Sequence, residues 1–430
     1  MTNPGGGGSG SSFVLVDDAT ARGFEPFALT RPAGELRAGG ALIRHRWMRA
    51  LDMPCTGFIG AAHLDAFAEF DAPAAMTGTI AAGTVLVNAR CAPALGQRAR
   101  RPADAWSCGG RIAAVRLTEP HDAATLRADG AGADALFATL GEAAAAATEL
   151  DGWWLDAVWD LIRHLNPMLE SDALAMMPAA GRATEQPEGL AVIGAHPVHV
   201  ERGAMVEPMV LVDATVGPVL VRRGAVVQAF TRLVGPCIIG EDASVSGGRV
   251  ASCSIGERCK VNGELNSVIM IGHANKGHDG FVGHSVMGRW ANLGAGTITS
   301  NLKNSYGTVR AWTPDGSRSS GLQFLGSLLG DHVKTGIGTR LTTGCVIGAG
   351  ANVFGSAMPP KVVPPFAWGE PDGNEWKSFS LDRFLVVAER VMARRQVEFT
   401  AGTRTQIEAA HGRAHAAPYR AAWEPRVEDA

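Results

Sequence analysis

The sequence has no run of about 18 or more uninterrupted apolar residues, so no membrane-spanning helix is expected. Nor does it open with a basic segment followed by an apolar one, and no signal peptide is indicated. Excess charge is also missing: the formal net charge is −3, which gives no support for a nucleic-acid partner. The seven cysteines are scattered and include no Cys-x-x-Cys pair, the usage expected in a reducing cytoplasm. What the chain has in abundance is glycine, 54 of 430 residues, beside 46% hydrophobic residues. That length and apolar content can fill the cores of two or three domains.

Between Pro187 and Phe366 large aliphatics return every six residues. The clearest run is Val221, Val227, Leu233, Ile239 and Val245, and the phase recurs at Ile255 and Val261, at Phe281, Met287, Leu293 and Thr299, and at Leu341, Ile347 and Val353. Glycine follows several of them and a small residue takes the fifth place, as in Ile239-Gly240 with Ala243, Ile255-Gly256 with Cys259, Met287-Gly288 with Ala291, and Ile347-Gly348 with Ala351. Side chains alternate faces along a strand, so a six-residue step keeps the large aliphatic on the inward side of every rung. Small residues leave the backbone free to turn at the corners. The pattern predicts a β-solenoid in which most of these aliphatics serve packing alone.

The chain divides into four parts: a Gly/Ser-rich tail at residues 1–12, an α/β domain at 13–185, the solenoid at 186–370 and a helical tail at 371–430. Within the α/β domain Phe13 to Val16, Val85 to Val87 and Ile112 to Val115 read as buried strands, and Ala41 to Leu51, Leu136 to Leu150 and Trp154 to Leu165 as helices. Past Pro359-Pro360 and Pro364-Pro365, the spacing of Leu381, Phe384, Leu385, Ala388 and Met392 predicts a helix capped by Ser380, packed on the solenoid end or a neighbouring subunit.

Two segments carry a family resemblance. The run Asn266-Ser-Val-Ile-Met-Ile-Gly-His-Ala-Asn-Lys-Gly-His-Asp-Gly-Phe-Val-Gly283, followed by Asn292-Leu-Gly-Ala-Gly-Thr-Ile-Thr-Ser-Asn301, resembles the acetyltransferase half of the bifunctional UDP-N-acetylglucosamine pyrophosphorylase and glucosamine-1-phosphate N-acetyltransferase. Nearly the whole chain is similar to a divergent bacterial group of that enzyme, through Leu29-Thr-Arg-Pro-Ala-Gly-Glu-Leu-Arg37, Asn301-Leu-Lys-Asn-Ser-Tyr-Gly307, Pro359-Pro-Lys361 and Trp368-Gly369. The resemblance implies a left-handed parallel β-helix that trimerises with acetyl-CoA between subunits. It also implies His278 as catalytic base and Asn292 in the sugar site, with Asn301 in the shared segment. Acyl transfer from a thioester needs a base for the attacking amine and a donor for the oxyanion, and histidine titrates near operating pH. Lys276, Lys303 and Arg289 are available to neutralise the sugar phosphate.

The sequence departs from the ordinary enzyme where Phe281 stands for a tyrosine, Asn266 for a lysine, and Gly307 for a downstream lysine close to Lys303. Those losses leave another amino-sugar acceptor, or an inactive site, as open readings. His273, His278 and His284 support a rival: the γ-class carbonic anhydrases gather zinc ligands at His-x4-His spacing on the same fold, which would make the chain a zinc lyase. A third reading makes the solenoid a trimerising scaffold without catalysis.

The N-terminal domain lacks the Gly-rich turn ending Gly-Thr-Arg with which nucleotidyltransferases wrap phosphates. In its place stands Thr30-Arg-Pro-Ala-Gly-Glu-Leu-Arg-Ala-Gly-Gly40, so Arg31 and Arg37 are candidates to hold a triphosphate by their side chains, with pairing to Glu35 the plain alternative. Asn88 and Arg90, just after the second strand, belong to a segment that resembles the divergent group, which implies them as candidates for the nucleotide or sugar-phosphate pocket. Nucleotidyl transfer implies a nucleoside triphosphate, UTP by the resemblance, and Mg²⁺; Asp17, Asp18 and Asp71 are possible ligands that no spacing selects. The expected product is UDP-N-acetylglucosamine for the cell envelope.

Overall fold

The computed structural model describes residues 11–98, 103–127, 130–143, 146–178, 190–372 and 375–423. The expected boundary near residue 185 and most of the Gly/Ser-rich tail lie outside them.

The N-terminal domain is built on a six-stranded sheet in the order Ala147–Leu150, Ala105–Cys108, Arg111–Arg116, Val85–Asn88, Phe13–Val16, Cys55–Ile59. Phe13–Val16 is parallel to both neighbours, with Val16 level with Asn88 on one side and Ile59 on the other. The Phe-Val-Leu-Val run is buried on both faces, as central parallel strands are. The three carboxyl ends therefore open on one edge, and Asp17, Asp18, Ala89 and Arg90 emerge there.

Three expected helices differ. Leu136 to Leu150 divides into the helix Ala131–Ala143 and the edge strand Ala147–Leu150, paired in parallel with Ala105–Cys108. An alanine-rich stretch offers no local breaker, and pairing at the sheet edge overrides its propensity. Trp154 lies on an extended segment, Gly152–Trp154, antiparallel to Cys91–Pro93, and the helices that follow are Asp160–Arg163 and Leu165–Met176. Leu155, Val158, Trp159 and Ile162 are nonetheless all buried together. The helix expected from Ala41 starts two residues later, as Ile43–Leu51.

From Ala191 onward the chain winds into a parallel β-solenoid with three faces. One carries the strands from Ala191–Gly194 to Phe281–Gly283; the second is a nine-stranded sheet from Val198–Val200 to Val362–Val363; the third begins with Met205–Val206. Val221, Val227, Leu233, Ile239, Val245, Ile255, Val261, Met287, Leu293, Leu341, Ile347 and Val353 form one interior column set, and the small residues Ala243, Cys259, Ala291 and Ala351 are buried beside them. Phe281 is the exception: Val282 points inward and stacks on Leu265, while Phe281 pairs with Glu264 on the outer side. Corner turns of unequal length shift the phase by one residue there, so a strict hexad counted back from Met287 lands on the wrong side chain.

The helix Leu381–Ala393 begins after Ser380, whose side chain makes no capping bond, and buries Phe384, Leu385, Ala388 and Met392. Phe384 meets Phe366 edge to face at 5.0 Å, so this helix seals the solenoid end. The following helix, Ala401–His415, reaches the N-terminal domain, where Gln406 donates to the Thr30 carbonyl at 3.0 Å. Among the described residues no helix is long and apolar enough to cross a membrane.

Candidate functional site

At the carboxyl edge of the N-terminal sheet, strand ends bring four polar side chains together. Asp18 accepts from the Ala21 amide at 2.9 Å, from Asn88 Nδ2 at 2.8 Å and from Arg90 Nε at 2.7 Å. Arg90 Nη1 reaches Asp156 at 2.8 Å, and Arg111 reaches the same oxygen at 2.8 Å while its guanidinium lies 3.9 Å from the centroid of Trp154. Burial is the largest influence on the Asp18 carboxyl and raises it, but the hydrogen bond and charge of Arg90 together with the Ala21 and Asn88 hydrogen bonds outweigh it, and the net shift is downward. Asp17 takes the opposite course: burial pushes it up to about 7, against the Ala33 amide that both its oxygens accept. The edge is thus a fixed array in which Asn88 and Arg90, the expected pair, stand beside Asp18, and Asp156, Arg111 and Trp154 join from segments that no sequence motif singled out.

These carboxylates do not fit a resident Mg²⁺. Both Asp18 oxygens already carry Arg90, Asn88 or Ala21, and Asp17 is buried against Ala33. Asp71 pairs with Arg44 at 3.0 Å instead. Among the described residues no group of three or more His, Cys, Asp or Glu side chains is placed to hold a metal.

Arg31 and Arg37 lie elsewhere. Arg31 is buried between Asp331 at 2.9 Å from Nε and Glu69 at 2.8 Å from Nη1. Arg37 donates to Glu257 at 2.6 Å and to the carbonyls of Ile271 and Gly40 at 3.1 and 2.8 Å. Arg289 belongs to the same ladder, reaching Glu257 at 2.5 Å and Glu69 at 3.0 Å. Three arginines and three carboxylates therefore join the N-terminal domain to the solenoid, and their guanidinium donors are engaged there rather than turned to a triphosphate or sugar phosphate. Glu35, the partner expected for them, holds Arg44 at 2.6 Å. The Gly39-Gly40 pair serves the same junction: Gly39 has φ +57°, and a Cβ there would come within 2.4 Å of the Asp172 carboxylate.

On the solenoid, Lys276 takes the interior position paired with Val261, and its ammonium donates to the carbonyls of His278 and Asn262. Burial lowers it to about 8. It is sealed inside the coil and does not face a sugar phosphate. His278 stands exposed on the turn that follows, and Asn275 Nδ2 donates to Asn292 Oδ1 at 2.5 Å on the adjoining coil. Asn301 contacts His284 Nδ1 at 2.8 Å, and the His284 ring stacks on Phe324 at 5.2 Å. The three histidines occupy three different corners of the coil. His273 is buried at the domain junction between Phe70 at 4.7 Å and Trp290 at 4.5 Å, so the exposed imidazole trio needed for zinc does not form. Lys303 is exposed in a cleft with Arg310 and Lys361.

Residues 13–177 match the family model described as sugar nucleotidyl transferase. A bifunctional sugar-1-phosphate nucleotidylyltransferase/acetyltransferase of Sulfurisphaera tokodaii is 38% identical over 92 residues, 21% of this chain and 23% of the relative. The bifunctional protein GlmU of Bartonella quintana is 29% identical over 174 residues, 38% of this chain and 33% of the relative, and that of Jannaschia sp. is 29% identical over 187 residues, 41% and 38% respectively. The chain therefore spans well under half the length of these curated relatives. Among solved structures, a UDP-N-acetylglucosamine acyltransferase from Campylobacter jejuni aligns with 49% of this chain and 95% of its own at 12% identity and a TM-score of 0.15. The part of the chain that is similar to sugar nucleotidyl transferases, residues 13–177, is followed by a parallel β-solenoid.

Proposed function

We propose that this chain is a bifunctional transferase of nucleotide-sugar synthesis. Its N-terminal domain couples a sugar 1-phosphate to a nucleotide from UTP, and its solenoid acetylates glucosamine-1-phosphate with acetyl-CoA, giving UDP-N-acetylglucosamine for the cell envelope. The observation that carries the reading is the agreement of the family match over residues 13–177 with the polar array at the sheet's carboxyl edge. Open parallel sheets bind ligands outside those strand ends. Asn88 and Arg90 are the proposed nucleotide or sugar-phosphate contacts, and Mg²⁺ arrives with the triphosphate. The names of the bifunctional relatives support the second activity.

In the solenoid, His278 is the proposed general base, exposed where a sugar amine can approach, with Asn292, Asn301 and Lys303 as acceptor contacts. The proposed assembly is a cytoplasmic homotrimer through the β-helix. Release of free CoA thiol from acetyl-CoA and glucosamine-1-phosphate tests the acetyl transfer. His278→Ala is expected to lower the rate by about 10²-fold or more. An unchanged rate in that variant, or no thiol release by the wild type, would overturn this half of the assignment. Pyrophosphate release from UTP and N-acetylglucosamine-1-phosphate tests the other half separately.

A further inference from the structure

Three parts of the chain line a cavity of about 410 Å³: the segment 67–74 of the N-terminal domain, the solenoid corner that carries Trp290, His332 and Phe366, and the helices Leu381–Ala393 and Ala401–His415 with the stretch between them. Five aromatic rings stand in its wall, those of Phe67, Phe70, Trp290, Phe366 and Phe384, and among the described residues neither lysine nor arginine lines it. Its carboxylates are Glu69, Asp331 and Glu398. The first two are spent on the domain junction, where Arg31 meets each of them at 2.8 Å. Glu398 is exposed and enters no ion pair among the described residues. An aromatic ring carries negative potential on its faces, so a wall of rings attracts a cation, and more strongly where water is excluded. An anion would meet Glu398 and no opposite charge on this lining.

His332 adds a directional group. Its ring lies 6.1 Å from Trp290 and 5.6 Å from Phe384, and its Nδ1 is buried without a hydrogen-bond partner. Burial holds the imidazole well below its ordinary pKa, so the ring is neutral at pH 7, does not repel a cation, and keeps one nitrogen as an acceptor. A buried polar atom left unpaired is costly, and a ligand N–H or O–H would relieve it.

The walls are held in place by contacts of their own. Gln406 ties the last long helix to the N-terminal domain, accepting from the Ala68 amide at 3.2 Å and donating to the Thr30 carbonyl at 3.0 Å. Gly350 leaves room for the Phe384 ring, since a Cβ there would come within 2.5 Å of Phe366 and 3.1 Å of Phe384. Phe70 is 51% exposed and stands at φ +49°, a left-handed conformation that bulky residues rarely adopt. Its ring is nevertheless fixed, stacked on His273 at 4.7 Å with the Arg289 guanidinium 4.8 Å from its centroid. Strained residues of this kind gather at ligand clamps.

We infer that this cavity binds a small organic cation of the ammonium class, its charge met by the aromatic rings and Glu398 and its N–H or O–H by His332. The site is separate from the sheet edge of Asn88 and Arg90 and from exposed His278, and it rests on neither transferase activity. Its walls come from both domains, so a bound cation ties the N-terminal domain to the solenoid.

The test titrates the full-length protein calorimetrically with choline and with benzylammonium, each beside its uncharged match in shape, 3,3-dimethylbutan-1-ol and benzyl alcohol. At least one cation is expected to bind, about tenfold or more tightly than its uncharged match. Glu398→Gln alters an exposed side chain and is expected to weaken that binding about threefold; Phe70→Leu weakens it about threefold to tenfold, and Phe70→Tyr restores it. The tyrosine variant separates the ring's attraction for charge from the packing of the junction. Three results overturn the site: no binding by either cation, equal binding of cation and uncharged match, or wild-type affinity in both Glu398→Gln and Phe70→Leu, which would place the cation elsewhere on the protein.

Discussion

Single side chains at the sheet edge are constrained by one another. Arg90 holds Asp18 and Asp156 together, and Asp18 is fully buried. Arg90→Ala leaves that carboxylate without its charge partner, which typically costs about 3–5 kcal/mol. The expected outcome is a fall in the urea midpoint together with loss of pyrophosphate release, whereas Arg90→Lys recovers part of the stability but not the two-acceptor geometry. His273 makes a second residue-scale case. Burial, and then the Arg289 guanidinium, lower its pKa to about 4 from the ordinary 6.5. A histidine depressed in the folded state contributes its full stability above the unfolded pKa and loses it as pH falls toward the folded one. The wild type is therefore expected to lose up to roughly 3 kcal/mol between pH 7 and 4 from this group. Asp17, raised to about 7, acts in the opposite sense over the same range, so the comparison is made with His273→Gln in denaturant melts at each pH. An identical pH slope in the two proteins would show that the imidazole is already solvated.

At the scale of the element, the rung that departs from the hexad offers a direct check of register. Val282 is wholly buried in the interior column while Phe281 lies on the outer face. Val282→Ala should cost roughly 1.5–3 kcal/mol, and Phe281→Ala much less despite its larger side chain. Thermal unfolding of the two variants measures the difference, and the reverse order would return Phe281 to the interior. The solenoid was legible in the sequence because its period is set by the pleat, which a single chain repeats at every rung. The strand Ala147–Leu150 was not legible, because only its partner Ala105–Cys108 distinguishes it from the alanine-rich helix before it.

For the whole molecule, the junction between the domains decides most. Asp331 on the solenoid accepts from Arg31 Nε at 2.9 Å, from the Thr30 hydroxyl at 2.7 Å and from the Arg289 amide at 2.7 Å. Asp331→Ala is expected to cost about 3–5 kcal/mol, because a buried guanidinium loses a partner. A double-mutant cycle with Arg31→Met separates the pair from its surroundings, and a coupling near zero would remove this ladder as the link between domains. The C-terminal helices complete the same assembly by bridging the solenoid end and the N-terminal domain through Phe384 and Gln406.

The sequence by itself determined the repeat, the inward aliphatics and their small corner residues, because each follows from local geometry repeated along the chain. A segment shared with the divergent group makes Asn88 and Arg90 candidates. Tertiary structure alone decided what the basic residues face. Arg31 and Arg37 are candidates for a triphosphate and Arg289 for a sugar phosphate by sequence, yet their acidic partners come from residues dozens to hundreds of positions away. Lys276 reads as a surface cation, yet the register of one corner turns it inward. Lys303, Arg310 and Lys361 share no motif, and only the packing of the hairpin Arg310–Thr313 and Gly316–Ser319 against the coils gathers them around one cleft. Charge on a side chain is written in the sequence, whereas the partner that neutralises it is chosen by the fold.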